Sequence, residues 1–463
     1  MANDREHREG QEDGGERAGD GDVAVAAGAG EDAPRDVAQR IEEMPPADGA
    51  AVLQNLSAEM SADVTEYLDP VTAAGVLVEM DPVLAATVIT DMEPPEASMV
   101  LAAMDPDDRV DILAHIPGPL HEQLLGEMTP TEAAEVRLLE QYPSESAGGI
   151  MTTQVTSLDE DLTVGEAIEE LRRLNEELEQ MFYVYVVDKR RHLVGVLSMR
   201  DLIFARPERP LAQIMRQEVR SVPATMDQEE VARLFREYDY LAMPVVDERN
   251  RLVGIITVDD VVDVMHEEAT EDVQKLFGAG AEERLTSPWH FSFRKRVWWL
   301  EVNLLTAFMA ASVVGLFEDT IHRLTILAAY MPIVAGMGGN AGAQAMAVAV
   351  RGLSMGRTDR RLLWQVVFRE ARVGLLTGLV VGVTAAAAAL LLHQSPALGL
   401  VIGLALIINH TLACTSGAAI PFIMKWLGFD PAQSATIFAT TVTDVAGFFC
   451  LLGLAKVFMA WLV

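Results

Sequence analysis

Apolar residues fill the last third of the chain in long runs and recur at short, regular intervals before it. Residues 373–392 are 20 positions without a charge, long enough to cross a bilayer as a helix. Residues 324–350 and 397–424 also lack Asp, Glu, Lys and Arg, and 431–455 carries one formal charge, Asp444. A fifth run, 302–317, reaches crossing length only by taking in Trp298, Trp299 and Glu301. The pattern predicts five transmembrane helices. Arg294, Lys295 and Arg296 precede the first, six arginines from Arg351 to Arg372 flank the loop between the second and third, and Lys425 follows the fourth. The opposite loops offer Arg323. This bias predicts a cytosolic N-terminal half and a C-terminus outside the cell membrane. The opening residues carry no apolar signal sequence, which fits a cytosolic N-terminus.

Upstream, an apolar residue recurs every 12 positions: Met44, Leu56, Leu68, Met80, Met92, Met104, Ile116 and Met128. Proline follows two residues later at 46, 70, 82, 94, 106 and 130, as at a helix start. Helices of about two turns are too short to stand alone. They are expected to stack over residues 36–143 as a small solenoid that buries a shared apolar stripe. A second repeat follows without a gap: "VVDKRRHLVGVLSMRDL" (186–202) and "VVDERNRLVGIITVDDV" (245–261). Each reads strand, charged turn, strand, helix. Each also carries a hydroxyl followed three residues later by a carboxylate, Ser198 with Asp201 and Thr257 with Asp260. Helix capping explains such pairs, and so does contact with a nucleotide. Residues 1–35, rich in Gly, Ala and acids and without aromatics, are predicted to be disordered.

Charge divides the chain in two. The net charge is −34, yet residues 279–463 hold 13 Lys/Arg and 9 Asp/Glu, leaving 22 basic and 60 acidic residues, net −38, for residues 1–278. Two cysteines, Cys414 and Cys450, both in apolar runs, argue against a zinc cluster or a disulfide framework. No phosphate-binding loop, nucleophile elbow or histidine cluster occurs, so nothing points to an enzyme. Nothing points to a nucleic-acid partner. A carboxylate at mid-membrane costs several kcal/mol by insertion scales, so Asp444 needs compensation. A hard cation that keeps most of its own water, such as Mg2+, suits one carboxylate. No His/Cys set suits a softer metal. Gly336, Gly338, Gly339 and Gly342, with Pro332, are predicted to break or thin span two, and Asn340 adds a neutral oxygen. The soluble half has its own acids. Asp259, Asp260, Asp263, Glu267, Glu268, Glu271 and Asp272 fall within 14 residues without a Lys or Arg, and Asp107 and Asp111 lie one helical turn apart in "DPDDRVD". Like charges at such spacing repel, and a solvated face is the usual meaning of such a run, though seven acids without a basic residue is unusual for one.

The gapless repeat resembles a tandem of cystathionine-β-synthase-type (CBS) domains. The order of acidic helical repeat, CBS pair, charged connector and five spans resembles the MgtE family of magnesium transporters. Two motifs carry that resemblance: "PIVAGMGGNAGAQA" (332–345) in span two and "TTVTDVAG" (440–447) in span five. The resemblance implies a multidomain chain, an α-helical solenoid plus an α/β CBS-domain pair followed by an all-α transmembrane domain of five helices. The expected boundaries are a tail 1–35, helical domain 36–143, CBS pair 144–270, connecting helix 271–296 and membrane domain 297–463. It implies a homodimer in lipid whose ion path runs past Asp444, Asn340, Gly336, Thr440 and Thr436. It also implies regulatory Mg2+ at Asp107, Asp111, Asp239, Asp260, Asp263, Glu268, Glu271 and Asp272. Relatives of the CBS pair bind adenine nucleotides, so ATP is a candidate ligand of Ser198, Asp201, Thr257 and Asp260. The function expected is a magnesium-selective channel closed by cytosolic Mg2+. The alternatives are a membrane-anchored nucleotide sensor, or a CBS-containing channel for another ion.

Overall fold

The computed structural model describes residues 33–174, 183–280, 283, 287–354, 360–432 and 435–462, which form two compact units that divide between Val262 and Asp263. The tail predicted to be disordered lies outside the described residues up to 32. Its last three residues instead open the first helix, α1 (Ala33–Ile41).

The first unit begins with a row of short helices: α1, α2 (Pro46–Gln54), α3 (Ala58–Glu66), α4 (Pro70–Val78), α5 (Pro82–Asp91), α6 (Pro94–Ala102), α7 (Pro106–Leu113), α8 (Gly118–Glu127) and α9 (Pro130–Leu139). Proline sits in the first turn, where its missing N–H is no loss, and caps such as Ser57, Asp69, Asp81 and Thr129 take up orphan N–H groups. Each helix packs against the next but one. The 12-residue positions end the turns and point inward: Leu68, Met80, Met92, Met104, Ile116 and Met128 are buried in one cluster, with Met44 and Leu56 packed on it. Leu101 is fully buried there. Leu101→Ala is expected to cost about 2–5 kcal/mol. The readout is lost amide-exchange protection across α5–α8.

Two similar modules follow in the same unit. Strands β1 (Ser157–Asp159), β2 (Tyr183–Val187) and β3 (Leu193–Ser198) form one sheet, with helices α10 (Val164–Leu174) and α11 (Met199–Phe204). Strands β4 (Val222–Pro223), β5 (Ala242–Val246) and β6 (Leu252–Thr257) form the other, with α12 (Gln228–Tyr238). In each sheet the first pair is parallel and the second antiparallel, with a register shift at the same point, Val186/Val187 and Val245/Val246. Helix α13 (Val258–Leu276) leaves β6 and runs from the first unit into the second.

The second unit holds five helices long and apolar enough to cross a membrane among the described residues. They are α14 (Trp289–Gly315), α16 (Leu327–Ser354), α17 (Arg360–His393), α18 (Pro396–Trp426) and α19 (Ala435–Val457); the short α15 (Glu318–Arg323) follows α14 and α20 (Met459–Leu462) ends the chain. Two sequence expectations change and one holds. The connector is not one helix over 271–296, because α13 starts at Val258, ends at Leu276, and is followed by Gly278 at φ 75°. The first span does take in Trp298, Trp299 and Glu301, since α14 is helical from Trp289. Span two is neither broken nor thinned, and α16 runs unbroken through Pro332 and the glycines. Gly342 serves close packing instead: a Cβ on it would meet the Ala413 carbonyl at 3.4 Å, and one on Gly417 of α18 would overlap the Gly342 carbonyl. Gly374, Gly378 and Gly382 bring α17 against α18 in the same way.

Candidate functional site

Helices α16 and α19 face each other across a cleft of about 320 Å3. Asp444, Asn340, Gly336, Thr440 and Thr436 all line it, and Ala335, Gly339, Ala343, Met346 and Ala439 complete the wall. Helical spacing explains the α19 side, because 436, 440 and 444 are successive i, i+4 positions. The Thr440 hydroxyl donates to the Thr436 carbonyl one turn back, which leaves its oxygen as an acceptor. The wall therefore offers a carboxylate, an amide carbonyl and two hydroxyls among small apolar side chains. Such a surface suits an ion that keeps its water and is touched through it.

One end of the cleft is tied to the connecting helix. The Thr436 hydroxyl donates to the Leu276 carbonyl, the last residue of α13. Leu276 packs on Met346, Val350, Ala432, Ala435 and Ala439. Beside it, Lys275 pairs with Glu271 on its own helix and with Asp430, at 3.0 Å, in the α18–α19 loop. Burial works against the Lys275 ammonium, but the two carboxylates outweigh it and hold its pKa above the usual lysine range. Glu271, expected as an ion ligand, is thus the i, i+4 partner of a lysine.

The other acids fall in two places. In the first unit, Asp107 is buried and Asp108 half-buried on α7, next to Asp260 on α13 and Asp105. Burial raises the Asp107 carboxyl well above its ordinary value, and Asp108 and Asp260 push it further. Burial and Asp260 raise Asp108 to about 7. The sequence alone does not single out Asp108 and Asp105, although both sit in or beside the quoted "DPDDRVD"; Asp111 acts on Asp108 from one turn away. Asp239 is the exposed C-cap of α12, in the left-handed region at φ 53° that short polar residues tolerate. Asp263, Glu268, Glu271 and Asp272 lie on the part of α13 that belongs to the second unit. Among the described residues no three His, Cys, Asp or Glu side chains converge as a metal cage.

Raised carboxyls make stability depend on pH. The folded state holds these protons more tightly than the unfolded chain, so their stabilisation is present at low pH and is lost as pH rises through the folded values. In magnesium-free buffer, amide protection of α7 is expected to fall as pH is raised from about 6 to 8, and Asp108→Asn should flatten that dependence.

Ser198 and Asp201 form a reciprocal capping box on α11, hydroxyl to carboxylate 2.7 Å. Thr257 and Asp260 repeat the hydroxyl–carboxylate bond at 2.5 Å.

Residues 331–454 match the divalent cation transporter family MgtE, residues 44–145 the MgtE intracellular N domain, and residues 147–208 and 211–267 the CBS domain. The magnesium transporter MgtE of Bacillus subtilis is 37% identical over 335 residues, 72% of this chain and 74% of that protein. This chain belongs to the MgtE family. The magnesium transporter MgtE of Thermus thermophilus is 38% identical over 344 residues, 73% of this chain and 75% of that protein. A crystal structure of the cytosolic domain of the Mg2+ channel MgtE in complex with ATP is 38% identical, covers 52% of this chain and 99% of its own, and superposes with a TM-score of 0.49. The MgtE assignment makes this chain a multi-pass membrane protein that transports magnesium.

Proposed function

We propose that this chain is a magnesium-selective channel of the cell membrane that closes when Mg2+ binds acidic sites on the cytosolic side. The observation that carries the proposal is the cleft: the five residues that the family resemblance implies line one cavity, and the end of α13 is bonded to its rim at Thr436. Asp444 attracts the dication, while Asn340, Thr440 and Thr436 accept from its bound water. Asp107, Asp111, Asp239, Asp260, Asp263, Glu268, Glu271 and Asp272 are the proposed regulatory ligands, with Asp108 added beside Asp107. With the cleft exposed along Asn340 and Gly336, two chains pair so that each contributes one Asp444. Mg2+ between acidic faces removes their repulsion and favours a compact, closed form, because a ligand shifts an equilibrium only through its preference for one state.

Limited proteolysis of the full-length protein tests the gate. Millimolar Mg2+ is expected to protect residues 258–276 and the helical domain, whereas KCl at equal ionic strength is not. Equal protection by KCl would reduce the acids to a cloud that concentrates cations near the mouth.

ATP is bound by the relative's cytosolic domain. In this chain both hydroxyl–carboxylate pairs already bond internally, which supports a capping role. A calorimetric titration with ATP in magnesium-free buffer decides between the two. Heat that disappears in Asp201→Ala assigns a nucleotide site; no heat leaves Ser198, Asp201, Thr257 and Asp260 as caps.

A further inference from the structure

Asn409 belongs to neither motif, yet it is the most deeply placed amide of the membrane unit, fully buried in the middle of α18. A polar side chain at that depth is costly unless it is bonded. Asn409 is bonded on one side only. Its Nδ2 donates to the Val334 carbonyl of α16 at 2.8 Å, while its Oδ1 has no partner. The bond also fixes which end of the amide faces α16, since the oxygen would repel the carbonyl.

The amide lies flush against two helix backbones. A Cβ built on Gly338 of α16 would overlap Nδ2, and one built on Gly447 of α19 would sit 2.8 Å from it. A methyl group at either position would force the Asn409 amide to move. Gly338 is two residues before Asn340, and Gly447 is three residues after Asp444. The two motif glycines are therefore the sockets of one side chain contributed by a third helix.

We propose that Asn409 is a positioning residue of the ion path: its amide clamps α16 and α19 at Gly338 and Gly447 and so sets the separation of Asn340 and Asp444 across the cleft. A hydrated cation held through its water reads that separation. A misplacement of about 1 Å in a positioned group costs on the order of 100-fold in a rate, so a small change of spacing should alter both flux and ion preference. The proposal rests on the cleft being the ion path.

The test is a double-mutant cycle on the full-length protein in liposomes, with Mg2+ and Ca2+ fluxes read separately. Gly338→Ala alone is expected to lower Mg2+ flux by about tenfold or more, because the new methyl group meets the amide. Asn409→Ala is expected to change the Mg2+ to Ca2+ flux ratio by about threefold or more. In the double variant the methyl fills the space left by the amide, so flux should return to within about threefold of Asn409→Ala. A merely structural role would lower both fluxes together and leave the ratio alone. Thermal unfolding of each purified variant separates loss of protein from loss of transport. If Asn409→Ala does not purify folded, Asn409→Ser carries the same cycle. An unchanged flux ratio, or a double variant no better than Gly338→Ala, overturns the clamp. Normal Mg2+ flux in Asp444→Asn would instead remove the ion path on which it rests.

Discussion

Asp444→Asn is expected to fold, reach the membrane and pass Mg2+ at least about 100-fold more slowly than the parent chain. The reason is electrostatic. A dication about 5–6 Å from a carboxylate gains roughly 6 kcal/mol at an effective dielectric near 20, and an amide of the same shape supplies none of that charge–charge term. The other oxygens of the cleft are neutral, so they do not replace the lost charge. The measurement is Mg2+ uptake into liposomes, normalised to the amount of reconstituted protein. Asn340→Ala is a milder change, since it removes one acceptor of bound water and no charge.

Neutralising Asp263, Glu268, Glu271 and Asp272 together is expected to leave flux high when internal magnesium is high. Near-complete closure requires Mg2+ to prefer the closed form by roughly 5 kcal/mol, so removing several ligands at once should abolish it. One of the four differs from the rest. Glu271 is the partner of Lys275, which also reaches Asp430 beside the cleft. Glu271→Gln alone removes one of the two carboxylates that hold Lys275 and leaves its pairing with Asp430, whereas Asp263→Asn leaves both ion pairs intact. Flux against internal Mg2+, measured for the quadruple variant and for these two singles, separates ligand loss from loss of the Lys275 pairing. Unchanged closure in the quadruple variant would reject the acids as the gate.

What the sequence made legible was written in local patterns. The 12-residue step needs only a count of apolar positions, and six of its eight members are buried in one cluster. Asp444 stands out because it is a lone charge in an apolar run, with Lys456 twelve residues away, and its neighbours on the same face follow from a 3.6-residue turn. The twin sheets were legible because a gapless repeat copies both pattern and register. What stayed hidden depends on partners far along the chain. A glycine in a helix reads equally as a break or as a socket; Gly338 became a socket only when Asn409 of another helix met it. Lys275 looks like the end of an acidic run until Asp430 comes beside it. Thr436 bonds a carbonyl 160 residues away, which no local pattern encodes. Asp108 does not stand out in the sequence because its side chain would be exposed on a lone helix, and burial beside Asp260 sets it apart from the exposed Asp111.

The most direct measurement of the central claim is Mg2+ flux through the purified full-length protein in liposomes, with low and then high magnesium on the face that carries residues 33–262. A magnesium channel closed by its own ion passes Mg2+ rapidly at the low level and shuts at the high level, with KCl at matched ionic strength leaving it open. The same flux at both levels, corrected for the change in gradient, would contradict the gate, and no flux at either level would contradict the ion path through Asp444.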